Sequence, residues 1–205
     1  MYVPPHFRVD DAEALAAFME RNAFATLVSM HDGAPFATHL PLLADGRDDG
    51  LTLAGHMARA NPQWRSLEDQ DVLVIFGGPH AYVSPSWYGD PKSVPTWNYA
   101  TVHVYGRARL VEDPDAVYDL LRRLTEREER GAAAPWRIES LPPDYVANMM
   151  QGIVAFTIAP SRVEGKYKLS QNRNHDDREA VAQKLGASPL EIERQTAALM
   201  REINV

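Results

Sequence analysis

The 205 residues contain no cysteine. Disulfides, thiolate metal sites and cysteine nucleophiles are therefore excluded, and a reducing compartment is the expected setting. No apolar run is long enough to span a bilayer. The opening MYVPPHFRVDD has no apolar core of the kind a secretory signal carries. The expectation is a cytoplasmic protein with no membrane association. Basic residues are also in deficit: 21 Lys and Arg against 28 Asp and Glu leave a formal net charge of −7. Proteins that grip DNA directly carry a basic footprint, so DNA is a partner the charge does not support. The arginines at Arg122, Arg123, Arg127 and Arg130 are interleaved with Glu126, Glu128 and Glu129 and read as a solvated helix face. The glycine-rich phosphate loop, the dinucleotide fingerprint and the Gly-x-Ser-x-Gly elbow are all missing. His6, His31, His39, His56, His80, His103 and His175 show no helical metal spacing and no accompanying carboxylate cluster. No metal site is expected.

What the chain does have is strand signal. Two apolar runs flank Asp32-Gly33, the strongest short-range hairpin signal. Strands are expected at 24–30, 36–43, 51–55, 72–76, 81–84, 101–111 and 153–159, from alternation or short runs of β-branched and aromatic residues. Helices are expected at 10–22, at 59–67, from the Asp113-Pro114 cap to about 130, at 141–150, and from the Ser188-Pro189-x-Glu191 capping box to 203. Strands dominate the middle and helices are inserted or appended. This pattern rejects a doubly wound parallel sheet and suits an antiparallel barrel with helical decoration. One domain, 1–205, with a helical extension from about 174, accounts for the length.

Four stretches carry candidate chemistry. In THLPLL, Pro41 interrupts a good strand. A proline cannot donate to a ladder, so the strand is an edge or is bulged there, and backbone groups are left for a flat heteroaromatic ring. In AGHMARANPQW, Gly55 permits close backbone approach, Asn61-Pro62 reads as a helix start and Arg59 offers a planar fork suited to phosphate. From Ser84, the aromatics Trp87, Tyr88, Trp97 and Tyr99 surround a proline-rich loop, an arrangement that could wall a ring-binding cleft or an interface or equally be core, and Asn98 could hydrogen-bond a ligand heteroatom there. In VEGKYKLSQNR, Lys166 and Lys168 fall on one face of an extended segment, with Gln171 close behind. Each stretch has an ordinary structural reading when taken singly.

Their order is more specific. FATLVS–HDG–PFATHLPLL, GHMARANPQW, GPHAYVSPSWY, VPTWNYATVHVYG and VEGKYKLSQNR together resemble the PaiB-like family of FMN-binding negative transcriptional regulators, from Tyr2 to about Ala187. The resemblance implies an α+β, mainly β, antiparallel split β-barrel of the FMN-binding type with peripheral helices. It also implies a homodimer with FMN in a cleft between subunits. Carried over, Thr38, His39, Leu40 and Pro41 would run along the ring and its pyrimidine edge. Gly55, His56, Met57, Arg59 and Asn61 would lie toward the ribityl phosphate. Trp97, Asn98, Lys166, Lys168 and Gln171 would close the site, partly from the second subunit, with Met57, Trp87 and Trp97 as apolar walls. Ser170 and Gln171 stand where oxidase relatives carry a histidine-containing motif, so pyridoxamine-phosphate oxidation is not expected. Two other functions stay open at this point. One is a flavin-dependent oxidoreductase, for which FMN itself carries the hydride chemistry. The other is a haem-handling split barrel with His39 or His56 on iron.

Overall fold

The computed structural model describes residues 1–47 and 50–203. In chain order the elements are β1 (Arg8–Val9), α1 (Ala12–Arg21), β2 (Phe24–His31), β3 (Ala34–Pro41), β4 (Leu43–Arg47), β5 (Gly50–Ala58), β6 (Asp71–Val83), β7 (Thr96–Val111), α2 (Pro114–Glu128), α3 (Pro143–Met150), β8 (Ile153–Lys168), α4 (His175–Gly186) and α5 (Glu191–Ile203). Short 3-10 turns lie between some of them, including Pro62–Ser66 and Pro85–Trp87.

The strands form one sheet in the order β3-β2-β6-β7-β8-β5-β4, with β1 added on β8. The β2–β3, β2–β6, β4–β5 and β5–β8 pairs are antiparallel. The path leaves β3 and β4 as edges, so the sheet is a split, unclosed barrel. Fold class and the edge position of the Pro41 strand agree with the sequence reading.

The β2–β3 hairpin follows directly from its turn. Asp32 and Gly33 have φ of 49° and 77°, the left-handed pair that a two-residue turn requires. His31 stands opposite Ala34, so no residue is spare and the register is fixed over the whole hairpin. The helix caps also follow the sequence. Asp113 accepts from the Asp115 N–H at 3.2 Å and Pro114 occupies the first helical position of α2. Asp11 accepts from Ala14 N–H at 2.7 Å at the start of α1.

Several boundaries differ from expectation. The segments 72–76 and 81–84 belong to one strand, β6, because Gly77-Gly78-Pro79 does not turn. Gly78 instead lies under α1: a Cβ there would sit 2.5 Å from Phe18 Cζ. Strand β4 occupies what reads as a turn. The span 51–55 extends through Ala58, 153–159 extends through Lys168, and the helix expected at 59–67 is a single 3-10 turn, Pro62–Ser66. The expected C-terminal extension is a pair of helices, α4 and α5. Ser188 Oγ accepts from Leu190 N–H at 3.1 Å, and α5 begins at Glu191.

The chain divides into two compact units. The first comprises Met1–Phe18, Gly77–His103 and Glu164–Val205; the second comprises Met19–Phe76 and Val104–Val163. In the second unit, α2 places Val117, Leu120 and Leu124 against Leu43, Ala54 and Ala155 of the sheet. Burial of such a stripe is what holds an amphipathic helix down, at about 25 cal/mol per Å² of apolar surface. In the first unit, Phe18 packs on Tyr167 with ring centroids 5.3 Å apart.

Gly33→Ala forces a side chain into the left-handed region without any steric clash, since nothing lies within 4 Å of the new Cβ. The expected result is a loss of about 1–2 kcal/mol, read as a lower urea midpoint at unchanged m-value.

Candidate functional site

In a two-residue hairpin the residues next to the turn exchange hydrogen bonds, and the pairs alternate from there. His31–Ala34, Ser29–Phe36, Leu27–Thr38 and Ala25–Leu40 are therefore the bonded pairs of β2 and β3. Two observations fix the same parity independently. Leu42 N–H donates to Ala23 O at 3.0 Å, continuing the bonded series. Met30, in the unbonded series, turns its N–H and C=O away from β3 to the Gln70 side chain, at 2.6 and 2.8 Å. It follows that Ala37 and His39 direct their N–H and C=O groups out of the open edge of β3, joined by the carbonyls of Pro35 and Pro41. Both prolines fall on unbonded pairs, where a missing N–H takes nothing from the ladder.

This open edge comes up against β5. A Cβ on Gly55 would lie 2.4 Å from Leu42 Cδ2, 3.2 Å from Pro41 O and 3.3 Å from Leu40 Cδ1. The two stretches singled out in the sequence, THLP and GHM, thus meet at the seam where the barrel fails to close. Glycine is what lets the backbones approach there.

The side chains at the seam are occupied by one another. Thr38 Oγ1–H donates to Gln63 Oε1 at 2.5 Å and accepts from Asn61 Nδ2 at 2.8 Å. Gln63 Nε2 in turn reaches Ser29 Oγ, Phe36 O and Leu27 O at 2.9, 3.2 and 3.3 Å. Gln63 is fully buried, and Asn61 Oδ1 caps its N–H at 3.0 Å. His39 lies on the outer sheet face, bonded to Thr26 Oγ1 at 2.9 Å and stacked on Phe24 at 6.4 Å. Leu40 and Met57 are core residues.

Three expectations need correction in the second unit. No α-helix follows β5, so no helix dipole is available to a phosphate at Asn61-Pro62; five residues of 3-10 turn are all that stands there. Arg59 aims its fork at protein: Nε donates to Gln151 O and Nη2 to Ile153 O, each at 2.7 Å. Its backbone N–H donates to Gly152 O at 2.8 Å. Arg59 therefore ties the end of β5 to the turn between α3 and β8. His56 is on the wrong face for Gly55's surroundings. It alternates with Gly55, shares its face with Ala54 and lies opposite Ala155, two members of the core beneath α2. Its Nδ1 is buried without a hydrogen-bond partner, and burial holds the imidazole below its ordinary pKa of 6.5.

In the first unit, Trp97 is 54% exposed and stacks edgewise on Tyr82 at 5.9 Å, with His80 at 6.3 Å. Asn98 does not present its amide to a ligand. It is fully buried, donating to Ser170 Oγ at 3.0 Å and Met200 Sδ at 3.4 Å. Gln171 braces its own turn through Leu169 N–H and Tyr167 O, at 2.7 and 2.5 Å. Lys166 donates to Tyr2 O at 3.1 Å and lies 5.2 Å from the Tyr99 ring. Lys168 donates to Thr96 Oγ1 and Trp97 O, each at 2.5 Å. Burial, then the charges of Lys166 and Arg173, push the Lys168 ammonium below its ordinary pKa. Three cations gathered in this way gain from an anion nearby. The buried Gln63 was missed in the sequence, because no local pattern distinguishes a buried amide from an exposed one in a Pro-Gln-Trp turn.

Comparison with known proteins identifies the family. Residues 1–162 match the family model described as "Putative FMN-binding domain". The chain is 41% identical to the Protease synthase and sporulation protein PAI 2 of Bacillus subtilis, over 98% of this chain and 97% of that one. It is 31% identical to an uncharacterized protein of Emericella nidulans, over 72% and 71% of the two chains. Among solved structures, the flavocytochrome Anf3 from Azotobacter vinelandii superposes with a TM-score of 0.67 at 19% identity, covering 87% of this chain and 78% of that one. A FAD and heme binding protein from Mycobacterium smegmatis superposes at 0.63 and 18% identity, covering 84% and 78%. The architecture is thus that of the split-barrel flavoproteins. The chain belongs to the PaiB-like FMN-binding family, and FMN is its cofactor. The outward backbone donors and acceptors on the open edge of β3 suit the polar edge of a flat ring.

The sign of the pH dependence follows from His56. The unfolded chain takes up a proton near pH 6.5, whereas the folded chain resists it to lower pH. The contribution of neutral His56 is complete above pH 6.5 and is lost as pH falls from there toward the depressed folded-state pKa. Stability measured by urea unfolding between pH 7 and 5 should decline by up to about 1.4 kcal/mol per pH unit on this account. His56→Leu should flatten the slope.

Proposed function

We propose that the protein is a homodimeric FMN-binding regulator acting in gene repression, with the flavin ring edge on β3. The observation that carries the reading is the outward-facing backbone of Ala37 and His39 on the open edge of β3. Each of these two residues offers an N–H and a C=O side by side, and the pyrimidine edge of a flavin presents carbonyls and an N–H in alternation. The pairing needs no side chain, which suits a seam whose side chains bond to one another. Bound FMN supplies one- and two-electron redox chemistry; the chain supplies the shaped edge, the apolar surroundings and the charge.

Thr38 and Asn61 shape the edge in this reading rather than touching the ring. Gly55 and Pro41 set the width of the seam, and Arg59 steadies the end of β5. The cationic group of Lys166, Lys168 and Arg173, with Trp97 beside it, is the part of the site contributed by the second subunit, directed at the phosphate. Dimerisation is supported by the outer sheet face of the second unit. There Phe24 is 71% exposed and Met30 47%, on strands whose neighbours Val28, Leu73 and Ile75 share that face. An exposed apolar sheet face of this kind marks an interaction surface. With a net charge of −7, control of transcription runs through the flavin or a protein partner, from within the cytoplasm.

Titration with FMN and with riboflavin tests both halves of the site. The wild-type chain should take up FMN and prefer it to riboflavin. Lys168→Gln should reduce FMN affinity by an amount on the order of 1.5–3 kcal/mol and leave riboflavin affinity nearly unchanged. Equal loss for both ligands would remove Lys168 from the phosphate. Sedimentation at micromolar concentration should show a dimer, and a monomer that still holds FMN tightly would rule out a shared site.

A further inference from the structure

We infer that Gln63 is a positioning residue for the flavin: a buried amide that sets the geometry of the β3 edge by locking the Thr38 hydroxyl. The inference rests on FMN binding at that edge.

The argument is one of donors and acceptors. A hydroxyl has one proton and two lone pairs. The Thr38 proton goes to Gln63 Oε1 and one lone pair receives Asn61 Nδ2–H, so the rotor has a single orientation. The amide of Gln63 is equally committed, with its oxygen on Thr38 and its NH₂ shared among Ser29 Oγ, Phe36 O and Leu27 O. Phe36 belongs to β3, and Leu27 and Ser29 belong to β2. One side chain from the Pro62–Ser66 turn thus grips both strands of the hairpin from inside. It does so directly behind Ala37 and His39, the two residues whose backbone groups face outward.

Gln63 has no exposed surface, so a solvation role for its amide is excluded. An apolar side chain of similar volume would fill the space in a core where Leu27 is also fully buried. The amide is therefore not required for packing. What it adds is direction: a buried network with every member satisfied holds a unique geometry. A shift of a few tenths of an ångström in β3 would misalign two outward N–H groups and two carbonyls together. Gln63 touches no ligand in this account. Its effect passes through Thr38 and the strand.

The test is a double-mutant cycle on FMN binding with Thr38→Val, Gln63→Met and the pair combined, with folding checked by circular dichroism and thermal melting. Each single change should weaken FMN about tenfold, the loss of one net hydrogen bond. Each should also move the visible absorption band of bound flavin toward that of free flavin, a signature a purely structural loss of stability would leave alone. The double variant should be no weaker than Gln63→Met, because both act through one network. Thr38→Ser, which restores the hydroxyl, should recover the affinity and the band. If Gln63→Met fails to fold, the contrast between Thr38→Val and Thr38→Ser decides. Unchanged affinity and spectrum in the single variants, or losses that simply add, overturn the role of Gln63 while FMN binding stands. A wild-type chain that takes up no FMN overturns the site and this role with it.

Discussion

The constraint on which the rest depends is the parity of the β2–β3 ladder. Two residues in left-handed backbone close the hairpin with none to spare. That choice decides, residue by residue up to Pro41, which amides face β2 and which face outward. A one-residue slip of β3 would send Ala37 and His39 into the ladder and would turn its inward side chains, Thr38 and Leu40 among them, to the outer face. The positions of Pro35 and Pro41, the bond from Leu42 to Ala23 and the capture of Met30 by Gln70 all agree with one register. Turn chemistry roughly 24 Å from the far end of the strand, at about 3.4 Å per residue, therefore governs which backbone groups face outward there.

Much of this was legible in the sequence where a local rule applied. Asp32-Gly33 announced the hairpin, Asp113-Pro114 announced α2, and Pro41 announced an edge strand; each rule works through backbone sterics or a missing donor, which need no knowledge of the rest of the fold. The family resemblance rested on the order of motifs and held over the fold and the cofactor. What stayed illegible was tertiary. Gly77-Gly78-Pro79 has the composition of a turn, yet it runs as strand because Phe18 needs the space that a Cβ would take. Arg59 has the chemistry of a phosphate ligand, yet three carbonyls at the α3–β8 turn lie within reach of its side chain and N–H. Asn98 and Gln63 are both amides in aromatic-rich stretches, and only long-range contacts show that each is buried.

The site residues divide by how their polar groups are used. At the seam, Thr38, Asn61 and Gln63 bond to one another and to inward carbonyls, and the outward backbone of β3 is left open. In the first unit the side chains of Lys168 and Gln171 satisfy backbone carbonyls, and the charges of Lys166 and Arg173 act on Lys168. A ring edge and a phosphate ask for different things: matched dipoles in the first case, net positive potential in the second.

The first unit is assembled from three stretches far apart along the chain, and its buried Asn98 amide is closed by Ser170 and Met200, 72 and 102 residues further on. During synthesis, residues 77–103 emerge long before the segment from 164 onward that completes them. The nascent polypeptide must therefore carry an unfinished, amide-bearing strand out of the ribosome until the segment from 164 onward has followed. Contacts of such long sequence separation form slowly, so this unit closes later than the β2–β3 hairpin, whose partners are neighbours in sequence.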